Sequence, residues 1–374
     1  MESRDGFEDE RRRLEMEKPR GEVPPEIQDT LEKYAEGARL MSEGARAPTG
    51  QTPKELVWAK NKARLYRYEP HAEKKHPIPI LMVYALINRP YVLDLMPGNS
   101  LVEYLTDEGF DVYLLDWGVP GDEDEDLSFD DYVLDYLRPA TRKVLRASGA
   151  EEYTLFGYCM GGTMATMHAA LFPDGPLANL ILLTTPIDFA PENTGLLGLW
   201  TDEKRLDPDL VVESFGNVPS EIIENAMRML KPVSNYVGTY ASMWECILEE
   251  KPMETWKAMN KWVSDGTPFP GAAFKQWIRD FYQQNKLVKG EIRLREHRVD
   301  LAEITCPLLN IAAERDHICP LPQAEPTTDL VSSEDKEFLV LDAGHVGLLI
   351  GRSAKKDLWP KLGSWLEERS GNEN

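Results

Sequence analysis

Apolar positions fall into two rhythms along the chain. Largely apolar segments of strand length lie at residues 79–86, 112–117, 153–156, 180–184, 307–313 and 337–341, the first of them continuous. Unbroken runs of this kind mark strands buried on both faces, as in a parallel sheet. Helical spacing holds at 128–147, 163–171 and 354–368, the first opened by Ser128 as a cap with an acidic first turn. Strands alternating with helices in this way predict an α/β protein built on a doubly wound, mostly parallel sheet. The strand rhythm stops between about 188 and 300. Helical patterns there carry Trp244, Trp256, Trp262, Trp277, Phe281 and Tyr282, with a break at Pro268-Phe269-Pro270-Gly271. Residues 1–50 are highly charged, with a helix expected over 25–42 that sets Ile27, Leu31, Tyr34 and Leu40 on one side. Thr52 and Pro53 read as the cap and first position of another helix. That helix runs into 64–68, an alternating segment that reads as an edge strand. The expected division is an arm at 1–50, a core at 51–187 and 301–374, and a helical insertion at 188–300.

The junction between the third of these runs and the helix after it is the most specific stretch. Gly157-Tyr158-Cys159-Met160-Gly161-Gly162 places glycines two before and two after a central cysteine. A turn sharp enough to lift that side chain at a strand's carboxyl end leaves no room for Cβ atoms at the flanking positions. The pattern resembles the nucleophile elbow of α/β-hydrolases, with cysteine where serine is usual. A cysteine at a helix start sits near the positive end of the helix dipole, which favours the thiolate. The N–H of Met160 points at the same space and supplies half of an oxyanion hole. The other half, in such folds, comes from the loop after the strand at 79–86; Ile87 is the candidate donor.

Composition narrows the function further. Lys and Arg number 42 against 64 Asp and Glu, for a net charge of −22 over 374 residues, and no basic patch stands out. Nucleic-acid binding is therefore disfavoured. The acidic run Asp122-Glu123-Asp124-Glu125-Asp126 reads as a solvated loop. Four cysteines, Cys159, Cys246, Cys306 and Cys319, are widely spaced, which argues against a zinc site or a disulfide framework. No window approaches eighteen uninterrupted apolar residues and the N-terminal residues carry no apolar signal region, so the expectation is a soluble cytoplasmic protein without a membrane span.

Cys159, Asp316 and His345 each follow a predicted strand directly, in the order nucleophile, acid, histidine. That is the chain order of the hydrolase triad. His345 would take the thiol proton as general base and return it as acid, while Asp316 would orient the imidazole or act on a second substrate group. Asp342 lies near the same strand end but is the weaker acid candidate. His317 reads as a loop residue that can point into the site, His168 as a packed core histidine, and Cys306 and Cys319 as flanking thiols without elbow geometry. A thiolate is both a good nucleophile and a good leaving group, which favours acyl transfer between thioesters over hydrolysis if the insertion excludes water.

With those residues stand NRPYVLDL at 88–95, WVSDGTPFPG at 262–271, Arg315-Asp316-His317 and Gly344-His345-Val346-Gly347. Together they resemble a polyhydroxyalkanoate synthase over about residues 52–365, and the chain's length is similar to that of the catalytic subunit of the two-subunit class III or IV enzymes. The resemblance implies polymerisation of (R)-3-hydroxyacyl-CoA, most often 3-hydroxybutyryl-CoA, with release of CoA. Cys159 would carry the chain as a thioester, His345 would deprotonate it, and Asp316 would help activate the substrate's 3-hydroxyl. No cofactor or metal is implied, since CoA belongs to the substrate. A homodimer, a separately encoded companion subunit and a place at the surface of polyester granules are implied. The rival readings are a cysteine-dependent thioesterase or dienelactone-type hydrolase and a non-catalytic granule scaffold.

Overall fold

The computed structural model describes residues 25–43, 47–249 and 252–370. Eight strands form one sheet: β1 (Lys54–Lys60), β2 (Ala63–Tyr68), β3 (Ile80–Val83), β4 (Val112–Asp116), β5 (Tyr153–Tyr158), β6 (Leu177–Leu183), β7 (Leu308–Ala313) and β8 (Lys336–Leu341). Their spatial order is β1-β2-β4-β3-β5-β6-β7-β8. Strand β2 runs antiparallel to both neighbours, and every later pair is parallel. The continuous run at 79–86 gives the wholly enclosed β3, and every residue of β5 and β7 is enclosed too, whereas β8, at the sheet's edge, leaves Lys336, Glu337 and Val340 exposed. Helices α1 (Pro25–Glu43), α2 (Leu101–Asp107), α3 (Arg138–Ser148) and α4 (Met160–Leu171) lie before or between these strands, and α11 (Trp359–Arg369) closes the chain.

Two expectations about the first part of the sheet are corrected. Residues 54–60 form a strand rather than a helix, because the segment pairs along its length with β2, from Lys54 opposite Tyr68 to Lys60 opposite Ala63. Thr52 does not cap a helix; its backbone N–H and hydroxyl both bond the buried Asp94 carboxylate, at 3.2 and 2.6 Å. For the same reason β2 is not the edge strand, since β1 covers it.

Register brings distant segments together at one end of the sheet. Val83 lies opposite Gly157, so the loop after β3 meets the elbow after β5. Ala313 lies opposite Leu341, so the loops carrying Asp316 and His345 are neighbours. The insertion leaves after β6, the sixth strand of the sheet, and carries α5 (Gly195–Thr201), α6 (Pro208–Phe215), α7 (Ser220–Met229), α8 (Thr239–Leu248), α9 (Glu254–Ser264) and α10 (Gly271–Gln276). Its aromatics divide by role. Trp277 and Phe281 pack on Phe129 and Phe189 beneath the insertion, with ring centroids 5.0–5.6 Å apart. Trp262 instead faces the cavity described below.

The arm's helix α1 lies against α8, where the Tyr34 and Trp244 rings stand 4.9 Å apart. Gly37 allows the contact: a Cβ there would sit 2.7 Å from the Trp244 indole. The arm's first 24 residues lie outside the described residues.

Candidate active site

Cys159 sits at the sharpest point of the strand-to-helix turn, with φ 54° and ψ −130°. Such a conformation costs a non-glycine residue about 1–3 kcal/mol and persists only when its surroundings dictate it. Two glycines do so here. A Cβ on Gly157 would lie 2.4 Å from Gly162 Cα, and one on Gly161 would lie 2.3 Å from the Val83 carbonyl oxygen. Strand β5, helix α4 and strand β3 therefore approach as closely as backbones can. Helix α4 begins at Met160, three residues earlier than its apolar spacing indicates. The Met160 N–H is thus the first of the helix's unpaired amides, directly beyond Cys159.

His345 lies behind the thiol. Its Nδ1 is 2.6 Å from Asp316 Oδ2, with both side chains buried. The other oxygen of Asp316 accepts N–H bonds from Ile318 and Cys319 at 2.8 and 2.9 Å. The carboxylate is thereby fixed on both sides and buried behind the ring. Burial opposes a charge on His345, but the Asp316 carboxylate and then Cys159 outweigh it, and the imidazole is pushed up to about 10. The elbow also holds the histidine loop: the Tyr158 hydroxyl donates to the His345 carbonyl at 3.1 Å.

A cavity of about 360 Å³ opens above these groups, lined mostly by apolar atoms. Cys159 and His345 line its floor together with Ile87 and Gly344. Asp316 is not among the lining residues. The roof comes from the insertion: Glu224, Met227 and Arg228 on α7, Asn235, Thr239, and Trp262 with Val263 on α9. Arg228 Nε donates to Glu224 at 2.8 Å within this roof. These roof residues were not singled out from the sequence, where they read as ordinary helix positions.

The structure thus brings Cys159, Asp316, His345, Met160 and Ile87 to one place. It sets the competing residues apart. Asp342 is exposed and paired with Arg315 at 2.7 Å. His168 is buried beside the Tyr153 hydroxyl at 2.9 Å, and burial pushes it down to about 3. Cys319 is buried and Cys306 half-buried, and burial raises both thiols. His317 does line the cavity, and burial first, then Lys231, lowers its proton affinity. All four cysteines are free thiols. Among the described residues, no cluster of His, Cys, Asp or Glu is arranged to hold a metal ion.

Comparison with known proteins places this geometry. Residues 78–351 match the alpha/beta hydrolase fold family, and residues 47–105 match the N-terminal region of poly-beta-hydroxybutyrate polymerase (PhaC). The chain is 41% identical to the poly(3-hydroxyalkanoate) polymerase subunit PhaC of Haloferax mediterranei, over 96% of this chain and 72% of that one. It belongs to the PhaC family. The PhaC subunit of Allochromatium vinosum is 36% identical over 92% of this chain and 96% of its own length. That of Synechocystis is 38% identical over 86% and 85%. Among solved structures, a putative lipase from Sulfolobus solfataricus shares the fold at 17% identity and a TM-score of 0.53, over 84% of this chain and 93% of that one. Epoxide hydrolase A from Mycobacterium thermoresistibile does so at 16% and 0.51, over 84% and 98%.

Proposed function

We propose that this PhaC-family chain polymerises (R)-3-hydroxyacyl-CoA, with 3-hydroxybutyryl-CoA as the favoured monomer, through an acyl thioester on Cys159. The family is one of polyester-forming acyltransferases, and the chain is an enzyme of that class. One observation carries the finer reading: Cys159 and His345 share one cavity floor while Asp316 is fixed behind the imidazole at 2.6 Å.

In this reading the Cys159 thiolate attacks the thioester carbonyl. A bond to Sγ forms, and the carbonyl electron pair becomes an oxyanion held by the N–H groups of Met160 and Ile87. Collapse of that intermediate breaks the bond to the CoA sulfur, which leaves with the proton carried by His345. The 3-hydroxyl of the next monomer then gives its proton to His345 and attacks the Cys159 thioester. The ester forms as the bond to Sγ breaks, and Cys159 takes back the lengthened chain as a second CoA departs. Asp316 is enclosed, so contact with the 3-hydroxyl falls to His345, and Asp316 serves by orienting it. The mostly apolar lining of the cavity limits water at the acyl-enzyme, which favours transfer over hydrolysis.

A homodimer, a companion subunit and a place at the surface of polyester granules belong to the same proposal. No helix among the described residues is long and apolar enough to cross a membrane.

The test is to incubate purified protein with 3-hydroxybutyryl-CoA, with and without a companion subunit, and to follow CoA release beside the acyl product. Insoluble polyester is expected from the wild type, and none from a folded Cys159→Ala variant. Free hydroxy acid in place of polyester makes the protein a thioesterase.

A further inference from the structure

The oxyanion peptide after β3 lacks regular secondary structure, yet both of its neighbouring carbonyls are held by one residue of the insertion. The hydroxyl of Thr267 donates to the Leu86 carbonyl at 2.6 Å, and the Thr267 N–H donates to the Ile87 carbonyl at 3.2 Å. Thr267 is 1% exposed, in the WVSDGTPFPG stretch and 181 residues away from its partner in sequence. Trp262, from the same stretch, adds a bond from its indole N–H to the Arg89 carbonyl at 2.9 Å.

From these contacts we infer that Thr267 is a positioning residue for the oxyanion hole, aiming the Ile87 N–H at the acyl carbonyl bound above Cys159. The inference rests on the acyl-enzyme reading above. The peptide between Leu86 and Ile87 is trans, since no peptide bond among the described residues is cis. In a trans peptide the C=O and N–H point in opposite directions. A hydroxyl drawing the Leu86 carbonyl to one side therefore turns the Ile87 N–H to the other. Ala85, Ile87 and Asn88 line the cavity, whereas Leu86 and Thr267 do not, so the carbonyl side faces the interior and the amide side faces substrate. No described residue accepts a hydrogen bond from the Ile87 N–H, as a donor kept for a transient oxyanion requires. The second bond, to the Ile87 carbonyl, fixes the following peptide and keeps the first from swivelling. Because Thr267 belongs to the insertion, half of the oxyanion hole is held by the element that also roofs the cavity.

The experiment compares two reactions of the same thiol in Thr267→Val and Thr267→Ser. CoA release passes through a tetrahedral oxyanion, whereas alkylation of Cys159 by iodoacetamide is a direct displacement at carbon that forms none. Alkylation is read at Cys159 by peptide mass. For Thr267→Val, kcat for CoA release should fall about 10- to 100-fold, less than the full loss of an oxyanion donor, with KM and the alkylation rate within about twofold. Thr267→Ser, which keeps the hydroxyl, should restore kcat. Unchanged kcat in Thr267→Val overturns the inference and leaves the acyl-enzyme reading intact. A parallel loss of alkylation and CoA release overturns it too, because the pocket and not the hole has then been damaged. So does a folded Thr267→Ser enzyme as slow as a valine variant. CoA release by Cys159→Ala removes the acyl-enzyme reading itself, and this inference with it.

Discussion

On the sheet side of the cavity, Cys159 follows a strand in which Leu155 and Phe156 are wholly enclosed, and glycines meet backbone at van der Waals limits. On the insertion side, α7 has no buried residue, and Ile222, Met229, Val233, Tyr240 and Leu248 stand 42–74% exposed on it and on the segments that follow. One wall is dictated by a close-packed sheet, while the other is a thin layer of helices resting on few enclosed side chains. The division suits polymer synthesis. Bond making needs atoms held to fractions of an ångström, and a growing chain needs a roof that can yield. The sites of low local stability are where motion is expected, and here they lie opposite Cys159.

Three measurements sharpen or break that contrast, from the largest expected effect to the smallest. Asp316→Asn removes the charge that orients and stabilises the imidazolium on the rigid side. Its kcat for CoA release should fall by about 10⁴-fold, as when a triad acid is made neutral, with little change in KM; a loss under tenfold breaks the picture of a fixed floor.

The second effect is on pH. The His345 pKa is raised in the folded state to about 10 by Asp316 and Cys159 against burial, from about 6.5 when unfolded. A raised pKa means that the folded state holds its proton more tightly. The resulting stabilisation is complete below pH 6.5 and declines at up to about 1.4 kcal/mol per pH unit. It is gone once pH has risen through 10. Urea unfolding of wild type and His345→Gln from pH 6 to 10.5 should show the wild-type advantage shrinking through that window; a constant difference would mean that the pair is not ionised.

The third measurement compares two leucines directly. Leu155→Ala, wholly enclosed in β5, should cost about 2–5 kcal/mol, whereas Leu248→Ala, 59% exposed at the end of α8, should stay within about 0.5 kcal/mol. Equal losses in chemical denaturation would put the two walls on the same footing.

Most of the rigid wall was legible in the sequence, because its constraints are local. Glycine spacing around Cys159 encodes the turn, and unbroken apolar runs encode buried strands, so the order of Cys159, Asp316 and His345 could be placed at strand ends. The segment at 52–60 misled for the same reason: Thr-Pro is a local helix signal, while the pairing of Lys54–Lys60 with β2 is a tertiary fact that overrides it. The roof was not legible. Periodicity in α7 and α8 shows that helices form but not which side meets a cavity, so Glu224, Arg228 and Asn235 carried no mark. Thr267 stands within the WVSDGTPFPG motif, yet its bond is to a backbone carbonyl, which no side-chain pattern records.

The wide separation of Cys159 and His345 along the chain sets a timetable for synthesis. Tyr158, beside Cys159, and His345 are 187 residues apart. At about 5–20 residues per second, a ribosome delivers the elbow roughly ten to forty seconds before the base that would activate it. Thr267 and Asp316 emerge inside the same interval. On the proposed mechanism, the nascent thiol is therefore born without its partner and cannot begin a polyester until the histidine has emerged. On the proposed mechanism, competence waits for the last two strands of the sheet to dock and set the histidine behind the sulfur.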